Sequence, residues 1–108
     1  MALAELDLSD TAEECMDNCV EAMQAGERCA GGCLDEDVAR CIRLCRDVAD
    51  PTTERARFMA RNSTYSEDLA ATCAAACEER EECARHDHCQ VCADVLEDCA
   101  RTCREMAA

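Results

Sequence analysis

The residues with chemical potential in this chain are its 13 cysteines, spread over 108 residues. Five pairs follow the spacing cysteine-x-x-x-cysteine: Cys15/Cys19, Cys29/Cys33, Cys41/Cys45, Cys73/Cys77 and Cys99/Cys103. Positions four apart share one face of a helix, so each pair presents two sulfurs side by side. A closer pair, Cys89/Cys92, follows His86 and His88, and Cys83 stands six residues beyond Cys77. Thiolates select Cu(I), zinc or iron–sulfur clusters over harder ions.

Extending the pairs gives alternating steps of three and four. The first helix then carries positions 15, 19, 22, 26, 29 and 33, and the last carries 89, 92, 96, 99, 103 and 106. This is the a/d seam of a helix bundle, with thiols where Leu and Ile usually stand. The second helix places Cys41 and Cys45 on its seam, then Val48, Thr52 and Met59, so its later half supplies no thiol. Cys83 falls about 120° off the seam of an ideal helix, and its inward direction is left open.

Three chemistries fit a core lined with sulfur. The first is multinuclear Cu(I) binding. If each thiolate bridges two ions and each ion takes two thiolates, there is roughly one Cu(I) per Cys and the filled core is near neutral, which gives a capacity on the order of ten ions per chain. Zn²⁺ held by four thiolates would leave the same core strongly anionic, and buried charge is tolerated only when paired. The second is a helical scaffold stapled by disulfides, against which stand the odd cysteine count and the absence of a leader-like segment. The third is a zinc or iron–sulfur protein or a redox thiol enzyme. Only Cys89/Cys92 has the cysteine-x-x-cysteine spacing, without strand signals around it, and no Ser–His–Asp set or Gly-rich phosphate loop is present. The expectation is a binding protein, not an enzyme.

Composition narrows the choice. Leu, Ile, Val and Phe together number 14, while 20 Ala and the cysteines fill the apolar share, so any core must be lined by small residues and thiols. The net charge of −14, with 11 Arg and no Lys among the cations, argues against nucleic acid and anionic membrane as partners. It suggests a surface adapted to high salt, hence a halophilic source. The start "MALAELDLSD" has no basic region followed by an apolar run, so no secretory leader is expected. Nor does any stretch approach the length of a membrane span. A cytoplasmic location is the expectation. The acidic runs "CLDEDV" and "EEREEC" read as solvated helix faces.

Four helices must position these sulfurs, near 10–34, 36–61, 65–85 and 88–106. Residues 1–9 form a flexible N-terminus and 10–108 a single domain. The start signals are Asp10 with Glu13, Asp35, Thr64 with Glu67, and Asp87 with Gln90. Gly26, Gly31 and Gly32 weaken the first helix, which could stop near Gly26. Pro51 suggests a kink or restart in the second. Short turns imply antiparallel neighbours, so the fold class is an all-α, up-down four-helix bundle with a cysteine-lined core.

The run "HDHCQVCADVLEDCARTCREMAA", with "CIRLC" and "CAGGCLDED", resembles the cysteine-rich four-helix-bundle copper storage proteins, in particular their cytosolic branch. The likeness extends from about Cys15 to Ala108. It implies a bundle whose seam cysteines hold several Cu(I) ions for storage or detoxification, often in a tetramer, with a copper chaperone as a further partner. It also implies that metal enters at one open end near His86 and His88. By position, the ligands would be Cys15, Cys19, Cys29, Cys33, Cys41, Cys45, Cys73, Cys77, Cys83, Cys89, Cys92, Cys99 and Cys103. Ala22, Gly26, Val48, Thr52, Ala70 and Arg80 stand at or near places where richer members carry cysteine, which implies a reduced capacity. The histidine half is expected to fill from four helices and the far half from three. Met16, Met59 and Met106 could meet at the far end, where thioethers can bind Cu(I) but more often pack.

Overall fold

The computed structural model describes residues 9–34, 39–80 and 87–107; of these, 33–34 and 87–92 are described by their backbone alone. The described residues form four helices: α1 (Asp10–Leu34), α2 (Ala39–Ala60), α3 (Ser66–Arg80) and α4 (Asp87–Met106). Each helix packs against its sequence neighbours, and α4 closes the ring against α1. This is the up-down order expected from short connections.

The helix ends show which local signals won. Ser9, not Asp10, caps α1: its hydroxyl accepts from the Ala12 N–H at 3.1 Å and its carbonyl accepts from Glu13 N–H at 3.0 Å. Asp10 and Glu13 lie instead in the first turn, where carboxylates favour the helix dipole. Asn62, at φ 54°, ends α2 in a Schellman motif. Ser63 N–H reaches Phe58 O at 2.8 Å, and Asn62 N–H reaches Met59 O at 3.0 Å. The Ser63 hydroxyl then accepts from Tyr65 N–H at 3.1 Å, and α3 begins at Ser66, beyond the Thr64 start expected from sequence. The start expected at Asp35 lies outside the described residues; α4 does begin at Asp87.

Neither suspected break occurs. The first helix runs through Gly26, Gly31 and Gly32 without stopping. Gly26 has a packing reason: a Cβ there would meet the Cys45 carbonyl oxygen at 2.7 Å and Ala49 Cβ at 3.4 Å, so its absence lets α1 and α2 approach. At Gly31 nothing lies within 4 Å of that position. The second helix continues through Pro51 without a restart. Beside it, Thr52 and Thr53 hydroxyls donate to Val48 O and Ala49 O, each at 2.6 Å. The carbonyl that proline leaves without its helical donor is that of Asp47, one residue before those two acceptors.

The core has two parts. The larger joins Cys15, Cys19, Cys73, Cys77, Cys99 and Cys103 with Ala22, Val48, Met59, Ala74 and Leu96. The smaller joins Cys29, Cys41 and Cys45 with Ala30 and Leu44. Across the surface, Arg101 pairs with Glu14 at 3.0 Å and Arg104 with Glu78 at 2.9 Å. These half-exposed pairs orient α4 against α1 and α3 more than they stabilise it.

Candidate metal centre

The seam periodicity holds wherever side chains are described. Cys15, Cys19, Cys45, Cys73, Cys77, Cys99 and Cys103 have no solvent exposure, and Cys29 and Cys41 almost none. Cys33, Cys89, Cys92 and His88 have their side chains outside the described residues, and Cys83 and His86 lie there entirely. The direction of Cys83 and the arrangement at the histidine end therefore stay expectations.

In the larger part, the sulfurs converge from three helices: α1, α3 and α4. Cys15 and Cys103 stand 3.9 Å apart, as do Cys19 and Cys103, and Cys15, Cys19 and Cys103 form a group able to hold one metal ion. Cys99 lies 4.0 Å from Cys19 and 3.8 Å from Cys103. Two sulfur triangles thus share the Cys19–Cys103 edge. Metal–sulfur bonds of about 2.3 Å in a planar three-coordinate site separate sulfurs by roughly 4.0 Å, so the Cys19–Cys99–Cys103 triangle already has ligand spacing, as do the two edges at Cys103 of the other.

Eight of the described cysteines are free thiols: Cys15, Cys19, Cys29, Cys45, Cys73, Cys77, Cys99 and Cys103. Cys41 is buried beside Cys29 and Cys45. The large free-thiol core leaves little of the stapled scaffold that the sequence kept open.

Two arginines penetrate the core: Arg55, which the sequence did not single out, and Arg80, which stands at or near a place where richer members carry cysteine. Arg55 and Arg80 have no exposure. Arg55 Nη1 donates to Cys15 Sγ at 2.6 Å, to Cys19 Sγ at 3.6 Å and to Cys103 Sγ at 3.7 Å. Its Nε donates to Ser66 O at 3.0 Å and Nη2 reaches Met106 Sδ at 3.7 Å. Arg80 Nη2 donates to Cys29 Sγ at 2.7 Å. The signal was in the spacing, since 41, 45, 48, 52, 55, 59 and 70, 73, 77, 80 continue the same seams. A charge at a seam position is set aside in a sequence reading because burying it alone is prohibitive.

The arginines set the electrostatics of the sulfurs. Burial works against the Arg55 charge, but its bond to Cys15 and the charges of Cys15 and Cys103 outweigh that and hold its pKa above the usual range. Around it, hydrogen bonds from Cys103, Cys15, Cys73 and Cys99 pull the Cys19 thiol down. Cys103 moves the other way, raised by its bonds to Cys15, Cys19, Cys73 and Cys99 and by burial. One negative charge shared among crowded sulfurs and matched by one guanidinium explains the opposed directions. In the smaller part, burial pushes Cys45 up to about 12, against the opposing pull of Arg80.

At the far end, a cavity of about 410 Å³ is lined by Met59 and Met106 together with Ser9, Asn62, Ser66 and Glu67. Met59 and Met106 both line it, while Met16 packs against the larger core.

Comparison with known proteins agrees with this arrangement. The family model described as "Copper storage protein" matches residues 8–108. A cysteine-rich protein of Bacillus subtilis (strain 168), YhjQ, is 39% identical over 103 residues, spanning 89% of this chain and 95% of its own. The Cu(I)-bound copper storage protein BsCsp3 superposes with a TM-score of 0.84 at 36% identity, over 92% of this chain and 100% of that one. Ccsp from Streptomyces lividans, loaded with 10 copper equivalents, gives 0.83 at 31% identity, over 98% and 89%. With its all-helical bundle, buried free thiols and near-complete match to the family model, the chain belongs to the copper storage protein family.

Proposed function

We propose that this protein binds several Cu(I) ions on its core thiolates and stores them. The observation that carries this reading is the shared edge of the two sulfur triangles. A lone structural zinc site closes on four ligands, whereas Cys19 and Cys103 each belong to two three-sulfur sites. Sulfurs that bridge in this way build a multinuclear cluster, and monovalent ions keep its net charge small.

The mechanism follows from burial. An entering Cu(I) displaces thiol protons and gains sulfur ligands that need little rearrangement, since their spacing is already set by helix packing. Each ion bound neutralises charge that would otherwise oppose further thiol ionisation. The wall of Ala, Val and Leu side chains excludes water and oxidants from the bound ions. Entry at the histidine end, with His86 and His88 as transient ligands, is the route that the resemblance supports. None of these roles involves turnover, and a storage protein, not an enzyme, is the reading. A homotetramer, a copper chaperone as donor, a cytoplasmic location and a high-salt habitat belong to the same proposal. In support, no helix among the described residues is long and apolar enough to cross a membrane, and the Streptomyces relative is described as cytosolic.

The test is an anaerobic Cu(I) titration of the fully reduced protein against a competing chelator, followed by native mass measurement. Many tightly held ions per chain are expected. Saturation at one or two ions, or a preference for a single Zn²⁺, would overturn it.

A further inference from the structure

We propose that Arg55 and Arg80 are resident counter-cations of the thiolate core, each remaining inside when the protein is loaded and each taking the place of one Cu(I). The inference rests on the storage reading and adds a rule for the capacity.

Both guanidiniums are fully buried and both donate to cysteine sulfur: Arg55 to Cys15, Cys19 and Cys103, Arg80 to Cys29. Each part of the core therefore contains one of them. Arginine keeps its charge at any pH at which the bundle exists, so the two charges are a fixed property of the interior. A buried sulfur cluster must come close to neutral. The larger part holds six thiols: Cys15, Cys19, Cys73, Cys77, Cys99 and Cys103. Fully ionised, they carry six negative charges, of which Arg55 balances one and five Cu(I) balance the rest. A sixth Cu(I) would give that part a net positive charge.

Geometry supports retention over expulsion. Arg55 is anchored at its Nε to the Ser66 carbonyl at 3.0 Å, on the helix facing it, and its other nitrogen sits against Met106 Sδ. These partners are not consumed when the thiolates take copper. A thiolate bridging metal ions also keeps a lone pair that can accept an N–H, so the guanidinium can stay at the rim of the cluster. Expelling it would leave the Ser66 carbonyl and a void in the seam at the same time.

The test compares copper content by native mass spectrometry of the loaded, reduced full-length protein and its variants. Arg55→Met is expected to hold one Cu(I) more than wild type, Arg80→Met one more, and the double variant two more. Arg55→Lys, which keeps the charge, is expected to match wild type. An unchanged copper count in both Met variants would overturn the proposal. In case the Met variants do not fold, nitrogen-15 NMR of arginine Nε–H groups in wild type gives an independent answer. Two slowly exchanging signals are expected before and after loading, and their move to fast exchange on loading would overturn it. If wild type itself takes up no more than one or two ions, the storage reading fails and not the role of the arginines.

Discussion

Arg55 Nη1 stands 2.6 Å from Cys15 Sγ, with both side chains sealed from solvent. The bond couples the middle of the seam of α2, which has no thiol, to the sulfurs of α1. Breaking a buried charged pair from one side strands the other partner, at a cost of about 3 to 5 kcal/mol. Cys15→Ala is therefore expected to destabilise the reduced, metal-free protein by about 3 kcal/mol, measured by urea unfolding. The double variant Cys15→Ala/Arg55→Met should recover most of that loss, a coupling that two independent sites would not show.

Cys103 is the vertex closest to the other sulfurs, within 3.9 Å of Cys15, Cys19 and Cys99. Because charge balance ties each ion to one thiolate, Cys103→Ala is expected to lower the Cu(I) capacity by about one ion in native mass spectra and, since it belongs to both triangles, to weaken binding of the ions that remain there. Cys29→Ala, in the smaller part of the core, should lower it by about one, given one ion per bridging thiolate.

Two of the three glycines on α1, Gly26 and Gly31, should respond with opposite signs. Gly31→Ala has open space and adds helix propensity, so a gain approaching 1 kcal/mol is expected. Gly26→Ala would drive its methyl into the Cys45 carbonyl at 2.7 Å, and backbone cannot yield as a side chain can. A loss of about 1 to 3 kcal/mol follows from overpacking, measured by thermal melts of both variants side by side.

Alkaline pH should loosen the metal-free core. Burial holds the Cys45 thiol protonated up to about 12, and Cys73 is likewise raised to about 12, where Cys19 and burial outweigh the pull of Cys103, against an ordinary value of 9.0. Above pH 9 the unfolded chain gives up protons that these folded thiols retain. Stability is thus fully present below pH 9 and falls between pH 9 and 12, by about 1.4 kcal/mol per pH unit for each thiol. Urea titrations at several pH values, under reductant, measure the slope.

Loading should have the reverse effect. A ligand that binds only the folded form stabilises it by mass action, by about 4 kcal/mol when present at a thousand times its Kd. A rise in Tm with each Cu(I) equivalent is expected under anaerobic reducing conditions, and calorimetry would register it.

Local patterning is enough to specify the four helices, their up-down order and the face each one buries. Cysteine pairs four apart, extended by threes and fours, mark that face from Cys15 to Cys29 and from Cys99 to Met106, because helical periodicity is local. It also overstated two interruptions: the penalties at Gly26 and Pro51 are intrinsic and local, while the close packing of α2 on α1 that Gly26 permits is tertiary.

Which sulfurs of different helices meet, and that Arg55 and Arg80 donate to them, follows from packing across the core. Periodicity assigns a residue to a face but carries no information about the atoms that face it across the core. A buried guanidinium is unfavourable until thiols from another helix supply its hydrogen bonds, and that supply exists only once α1, α2, α3 and α4 have packed.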